Sequence, residues 1–171
     1  MRIGHLSKRF FGSLWPGGPS AEDVAWARSQ LLPGEREIWQ QMNRADRRHS
    51  VAVGRRVERA LGHEAGRPVL AAALLHDCGK IDAALGTYGR VVATLSVSIA
   101  GQSAAEEWTE ARGFTRKIGL YARHAQIGAD RLALGGSDEL TIAWTREHHQ
   151  PEETWTIPHH LAIALKDADD D

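Results

Sequence analysis

The stretch AAALLHDCGKIDAALG, residues 71–86, decides the fold. Five apolar residues, Ala71 to Leu75, run directly into two adjacent ionisable side chains, His76 and Asp77, and then into Cys-Gly-Lys. Pro68, three residues before the run, sits well at a first helical position, so the run reads as a core helix. Burying an imidazole and a carboxylate at its end is costly unless something satisfies both.

Working outward, every neighbouring segment also reads helical. WPGGPS (15–20) cannot continue any element. Ser20, with Asp23 three residues on, caps a helix over AEDVAWARSQLL. Pro33-Gly34 ends it, and the spacing predicts one longer helix from Glu35 to about Leu61. Its inward face carries Ile38, Met42, Ala45, His49, Val53, Val57 and Leu61. GHEAGRP (62–68) closes that helix. RVVATLSVSIAG (90–101) fits a strand or a buried helix by itself and is read as helix from its surroundings. SAAEEWTEARG, TRKIGLYARHAQIGADRLALGG, SDELTIAWTREHH and PHHLAIALKDADD follow as further helices, each closed by Gly, Pro or the chain end. The expected fold is an all-α bundle of about seven or eight helices, one domain over residues 20–171 behind an N-terminal extension, residues 1–19.

Composition narrows the function classes. A formal net charge of −1 and a pI of about 6.8 give no reason to expect a nucleic-acid partner. The sole cysteine, Cys78, leaves no intrachain disulfide and fits a reducing compartment. The basic, aromatic N-terminus lacks the apolar stretch of a signal peptide, and nowhere do about 18 apolar residues run together, so no membrane partner is expected. The default expectation is a cytoplasmic protein, with its oligomeric state left open.

Polar residues on apolar stripes carry the chemistry. His49 lies four residues after Ala45 and four before Val53; His124 shares a face with Leu120 and Ile127. His148 follows Leu140 and Trp144 at steps of four, as Asp169 follows Leu161 and Leu165. Any one of these alone is an ordinary hydrogen-bonded residue. Five helices each bringing one inward are better satisfied together by a divalent metal centre, because neutral imidazoles and carboxylates are its usual ligands. His148 and His149 stand about 100° apart on a regular helix, so a shared role needs the helix to end there, ahead of Pro151.

The order His49, His76-Asp77, His124, His148-His149 and a C-terminal Asp resembles the HD-domain superfamily of metal-dependent phosphohydrolases over about residues 35–170. HDCGK is similar to the family's HD-x-GK, HAQIGADRL to its H-x-x-x-G-A-x-x-L, and REHHQ to its H-H-E. His124 and the histidine doublet resemble the dinuclear HD-GYP branch and its relatives. The chain departs from that branch in lacking Gly-Tyr-Pro, with PEETWTIP after HHQ, and in carrying Gln150 where Glu is common.

The resemblance implies two divalent ions, of Fe, Mn, Zn, Co, Ni or Mg. One would take His49, His76, Asp77 and Asp169, with Asp167 as the alternative to Asp169. The other would take Asp77 as a bridge with His124, His148 and His149. It further implies hydrolysis of a small phosphate ester, nucleotides among them, through a metal-bridging hydroxide, with Lys80 contacting the phosphate or the leaving oxygen. Alternatives are a mixed-valent di-iron oxygenase and a non-catalytic regulatory metal-binding domain. Asp46 and Arg47 stand within one turn of His49 and suit either a role supporting the ligands or contacting phosphate, or a solvated ion-pair face. Cys78 reads as structural. Trp155 reads as a core staple with a base-stacking pocket as the alternative, and His159-His160 as solvent-facing. His5 and His63 fall in poorly constrained segments.

Overall fold

The computed structural model describes residues 17–171; the N-terminal extension as far as residue 16, with His5 and Trp15, lies outside them. Among the described residues every regular element is helical and none is a strand. The helical segments outnumber the expected seven or eight because local breaks divide two of the anticipated helices and Lys80–Ala83 forms a short one of its own.

Ser20 caps α1 (Ala21–Gln30) as expected, accepting a hydrogen bond from the Asp23 amide. The long helix anticipated from Glu35 to Leu61 is two: α2 (Pro33–Gln41) and α3 (Arg44–Leu61). Met42 and Asn43 are extended between them, and the Asn43 side chain accepts the Asp46 amide at 2.9 Å. Asn competes for backbone groups inside a helix but serves well as an N-cap, so the chain restarts there. The inward stripe survives the break, since Ile38, Met42, Val53 and Val57 are all buried.

The apolar run forms α4 (Arg67–Leu75), in which every residue from Val69 to Leu75 is buried. It packs against α1, α2 and α3 and against two later helices, α10 (Glu139–Glu147) and α11 (His159–Asp170). One side of it joins Val53, Val57, Trp144, Leu161 and Leu165, the other Leu31, Trp39, Met42 and Leu132. Being apolar all round is therefore what this position requires.

Between α4 and α10 come α5 (Lys80–Ala83), α6 (Thr87–Ala100), α7 (Gln102–Glu107), α8 (Gly113–Ala122) and α9 (His124–Leu134). RVVATLSVSIAG is helical, in α6, but not a buried helix: Tyr88, Leu95 and Ile99 face solvent, and Ala93 is enclosed. The segment 115–136 breaks at Arg123, where φ −93° and ψ 9° end α8 and let α9 start afresh at His124. Among the described residues no single helix is long and apolar enough to cross a membrane.

One buried charge went unread in the sequence. Glu35, fully enclosed, accepts the Leu32 amide at 2.7 Å and faces Arg67 at 3.5 Å, closing the first turn of α2. Arg67 is also paired with Asp138, ahead of α10, so this network ties α2, α4 and α10 together. Glu35→Ala should cost about 1–3 kcal/mol, the range for orphaning buried partners, measured by urea unfolding.

Candidate metal centre

The site begins where α4 runs out. The His76 amide makes the last helical bond, to Ala72 at 3.0 Å, and tighter i→i+3 bonds follow from Cys78 to Leu75 and from Lys80 to Asp77. This turn presses against the start of α9. A Cβ on Gly79 would stand 1.9 Å from the His124 carbonyl oxygen and 2.7 Å from the Gly128 nitrogen. A Cβ on Gly128 would meet the Gly79 nitrogen at 3.0 Å. Gly79 has ordinary helical angles, φ −65° and ψ −15°, so its role is space rather than conformational freedom. The two glycines let backbone meet backbone, which brings His124 up to Asp77.

Three of the histidines are oriented in the same way. His76 Nδ1 lies 2.9 Å from the Ala73 carbonyl, His124 Nδ1 2.7 Å from Tyr121, and His148 Nδ1 2.9 Å from Thr145. A carbonyl only accepts, so each Nδ1 carries the proton and a neutral ring presents a bare Nε2 lone pair. Each ring sits at or beside a helix terminus, where the carbonyl one turn back lies within reach of the side chain.

Those lone pairs converge on Asp77. Its Oδ1 is 3.4 Å from His124 Nε2 and 3.8 Å from His148 Nε2, and His149 Nε2 is 3.2 Å from His124 Nε2. Its Oδ2 is 3.5 Å from His76 Nε2, which is also 3.5 Å from Asp169 Oδ1; His49 Nε2 meets that Asp169 oxygen at 2.9 Å. Two compact groups result, His49–His76–Asp77 and Asp77–His124–His148–His149, sharing one carboxylate. Helix α10 ends at Glu147, so the doublet lies beyond regular helix and its two rings stand 4.0 Å apart, as the spacing argument required. Asp169 is buried beside the cluster while Asp167 is exposed.

The donor set fits metal. Ligand atoms each ~2.0–2.2 Å from one ion stand about 3–4 Å from one another, and the donor atoms of each group here all lie within 4.8 Å of one another. His76 Nε2 and His148 Nε2 are buried and, among the described residues, have no hydrogen-bond partner. Such orphaned lone pairs are costly unless a cation takes them.

Electrostatics point the same way. Burial pushes His76 down, but Asp77 and Asp169 outweigh it and hold the ring up to about 10. Burial pushes the Asp77 carboxyl up, yet Lys80 and His76 hold it well below the usual carboxylate range. Lys80 Nζ lies 2.5 Å from Asp77 Oδ2 and stays charged there despite its burial. His148 is driven well below its ordinary value by burial and then by the neighbouring rings His149 and His76. Where no ion stands, protons on His76 and Lys80 supply the positive charge that Asp77 and Asp169 demand. Cys78 is structural as expected: burial pushes its thiol up to about 12, which leaves no thiolate at neutral pH.

Other expectations resolve as follows. Asp46 faces inward and takes a two-pronged ion pair from Arg90 of α6, at 2.5 and 2.7 Å. Arg47 stacks 5.5 Å over Trp39. Trp155 is a staple: its indole N–H donates to the Glu147 carbonyl and its ring meets Trp144 edge-on. His159 and His160 are exposed and pair with Glu152 and Glu64. Arg90 and Tyr121 were missed. Tyr121, one turn before His124, anchors that ring through its carbonyl and lies 5.9 Å from the Lys80 ammonium.

No protein-family model, no curated protein and no solved structure matches the chain.

Two outcomes are expected. Gly79→Ala should destabilise by roughly 3 kcal/mol, the upper range for overpacking, because the atom it meets is backbone; thermal unfolding measures this. Metal binding must displace the His76 proton, so zinc affinity should fall about tenfold for each unit that pH drops below about 10. Titration calorimetry across a pH series reads both the slope and the proton released, and a flat profile would contradict the arrangement.

Proposed function

We propose that the chain is a dinuclear, metal-dependent phosphohydrolase of the HD-domain kind, acting on small phosphate esters, nucleotides among them. The observation that supports this most is the division of Asp77: one oxygen faces His76 and the other faces His124 and His148, as a bridging carboxylate must. One ion is assigned to His49, His76, Asp77 and Asp169, the other to Asp77, His124, His148 and His149. Two divalent ions held there would supply charge for the non-bridging phosphate oxygens and would lower the pKa of water for attack on phosphorus.

The chain's own groups do the rest. The three carbonyl-anchored imidazoles hold their lone pairs in place, so little reorganisation accompanies loading or turnover. Lys80 keeps its proton and is paired with the Asp77 oxygen that one ion would take. Released from that oxygen, its ammonium donates hydrogen bonds to the phosphate and to the departing ester oxygen, where negative charge grows as the P–O bond breaks. Water supplies the new P–O bond, and its proton leaves with the alcohol.

Metal analysis of the purified protein, paired with a panel of phosphomonoesters and cyclic nucleotides under several metals, tests the reading. About two ions per chain and oxygen-independent hydrolysis are expected. Iron-dependent, oxygen-consuming turnover without hydrolysis would replace the hydrolase by an oxygenase. Asp77→Ala should empty both positions, whereas His49→Ala and His149→Ala should each remove one ion. Retention of both ions by Asp77→Ala would rule out the bridge.

A further inference from the structure

Lys80 faces more than Asp77. It also lines a cleft of about 430 Å³ between the turn joining α2 to α3 and the turn joining α5 to α6. That volume suits a small ligand. Gln41, Asn43, Asp46 and Leu85 contribute to its walls, and so does Arg90.

Arg90 is held unusually firmly for a residue beside a cleft. Its two terminal nitrogens grip the two oxygens of Asp46 at 2.5 and 2.7 Å, and its Nε donates to the Leu85 carbonyl at 3.1 Å. Asp46 is in turn fixed by Asn43, whose side-chain amide donates to it at 2.8 Å. The turn that presents the Leu85 carbonyl contains Ala84 at φ 46°, the one non-glycine residue with positive φ among the described residues. A side chain disfavours that conformation, and such outliers gather where a turn must deliver a group to a fixed place.

The charge count is uneven. Lys80 and Arg90 both line the cleft, and Asp46 is the one carboxylate that does. Asp77, the partner of Lys80, belongs to the metal-facing cluster. A guanidinium has five N–H donors, and the three bonds named leave two for a ligand. An immobilised arginine with donors to spare, sharing a cleft with the lysine that serves the reacting phosphate, is suited to a further oxyanion a short distance along the same molecule.

Resting on the phosphohydrolase reading, we propose that Arg90, positioned by Asp46, binds a second phosphate of the substrate, so that the enzyme's substrates are diphosphates or esters bearing a phosphate beyond the one it attacks.

Titration calorimetry with sodium pyrophosphate and with inorganic phosphate, on the full chain as purified and with metal content measured alongside, tests this. Arg90→Gln should weaken pyrophosphate binding about tenfold or more while changing phosphate binding less than about twofold, with bound metal unchanged. Arg90→Lys keeps the charge without the fork and should give a smaller loss. If Arg90→Gln fails to fold, Arg90→Lys decides. Equal losses for both anions, or no loss for either, would overturn the proposal. Arg90-dependent pyrophosphate binding without turnover of any ester would refute hydrolysis and keep the site; turnover with no Arg90-dependent selectivity would refute the site alone.

Discussion

The arrangement depends on a place where two stretches of main chain come nearer than side chains allow. Gly79, just past the His-Asp pair, lies against the His124 carbonyl and the Gly128 amide, and Gly128 faces back at Gly79 and Cys78. Helix packing normally keeps axes 8–10 Å apart because side chains interdigitate. Removing both Cβ atoms lets the end of α4 and the beginning of α9 touch through their backbones. The glycines of HDCGK and HAQIGADRL thus belong to a single contact, which sets how far His124 stands from Asp77.

Around that contact the buried polar groups compensate one another. Asp77 is enclosed and ionised, with Lys80 at one oxygen and imidazoles facing both. Asp169 takes His49 and His76. Any one of these side chains alone in a helical core would be a liability. As a set they form a basin of negative charge and lone pairs whose balance is completed by cations, whether protons on His76 and Lys80 or metal. The apolar length of α4 meets the cost of assembling them, since Val69 to Leu75 are wholly inside and grip five surrounding helices.

Much of this was legible from spacing. His49, His124, His148 and Asp169 each fell on an apolar stripe, and a stripe survives even where the helix bearing it is cut, as at Asn43. The cuts themselves were not legible. An Asn or an Arg inside a periodic pattern does not announce a break, because the local cost of interrupting the helix is repaid by tertiary contacts. At Arg123 the interruption places the His124 ring over the Tyr121 carbonyl. Glu35 and Arg90 were invisible for a related reason. A charged residue in a helical stretch reads as solvent-facing by default, and its burial depends on partners far along the chain: Arg67 for one, Asp46 for the other. Exposure along α6 was not legible either, because apolar composition alone does not tell a buried helix from one that bares a side.

The anchoring of three rings to carbonyls one turn behind them bears on which ions the cluster could accept. A ligand held by its own helix terminus cannot swing outward to suit a larger guest without unwinding that terminus. The spacing of those donors is therefore tied to main-chain geometry, and for a bound cation it would act as a gauge of ionic radius. Calcium, which prefers six to eight oxygens at 2.3–2.6 Å, would meet here a cluster in which imidazole nitrogens outnumber carboxylates. Smaller transition ions, which take imidazole nitrogen readily, would suit that donor set better. Selection of this sort would need no moving parts, because the donors are in place as soon as the helices have docked.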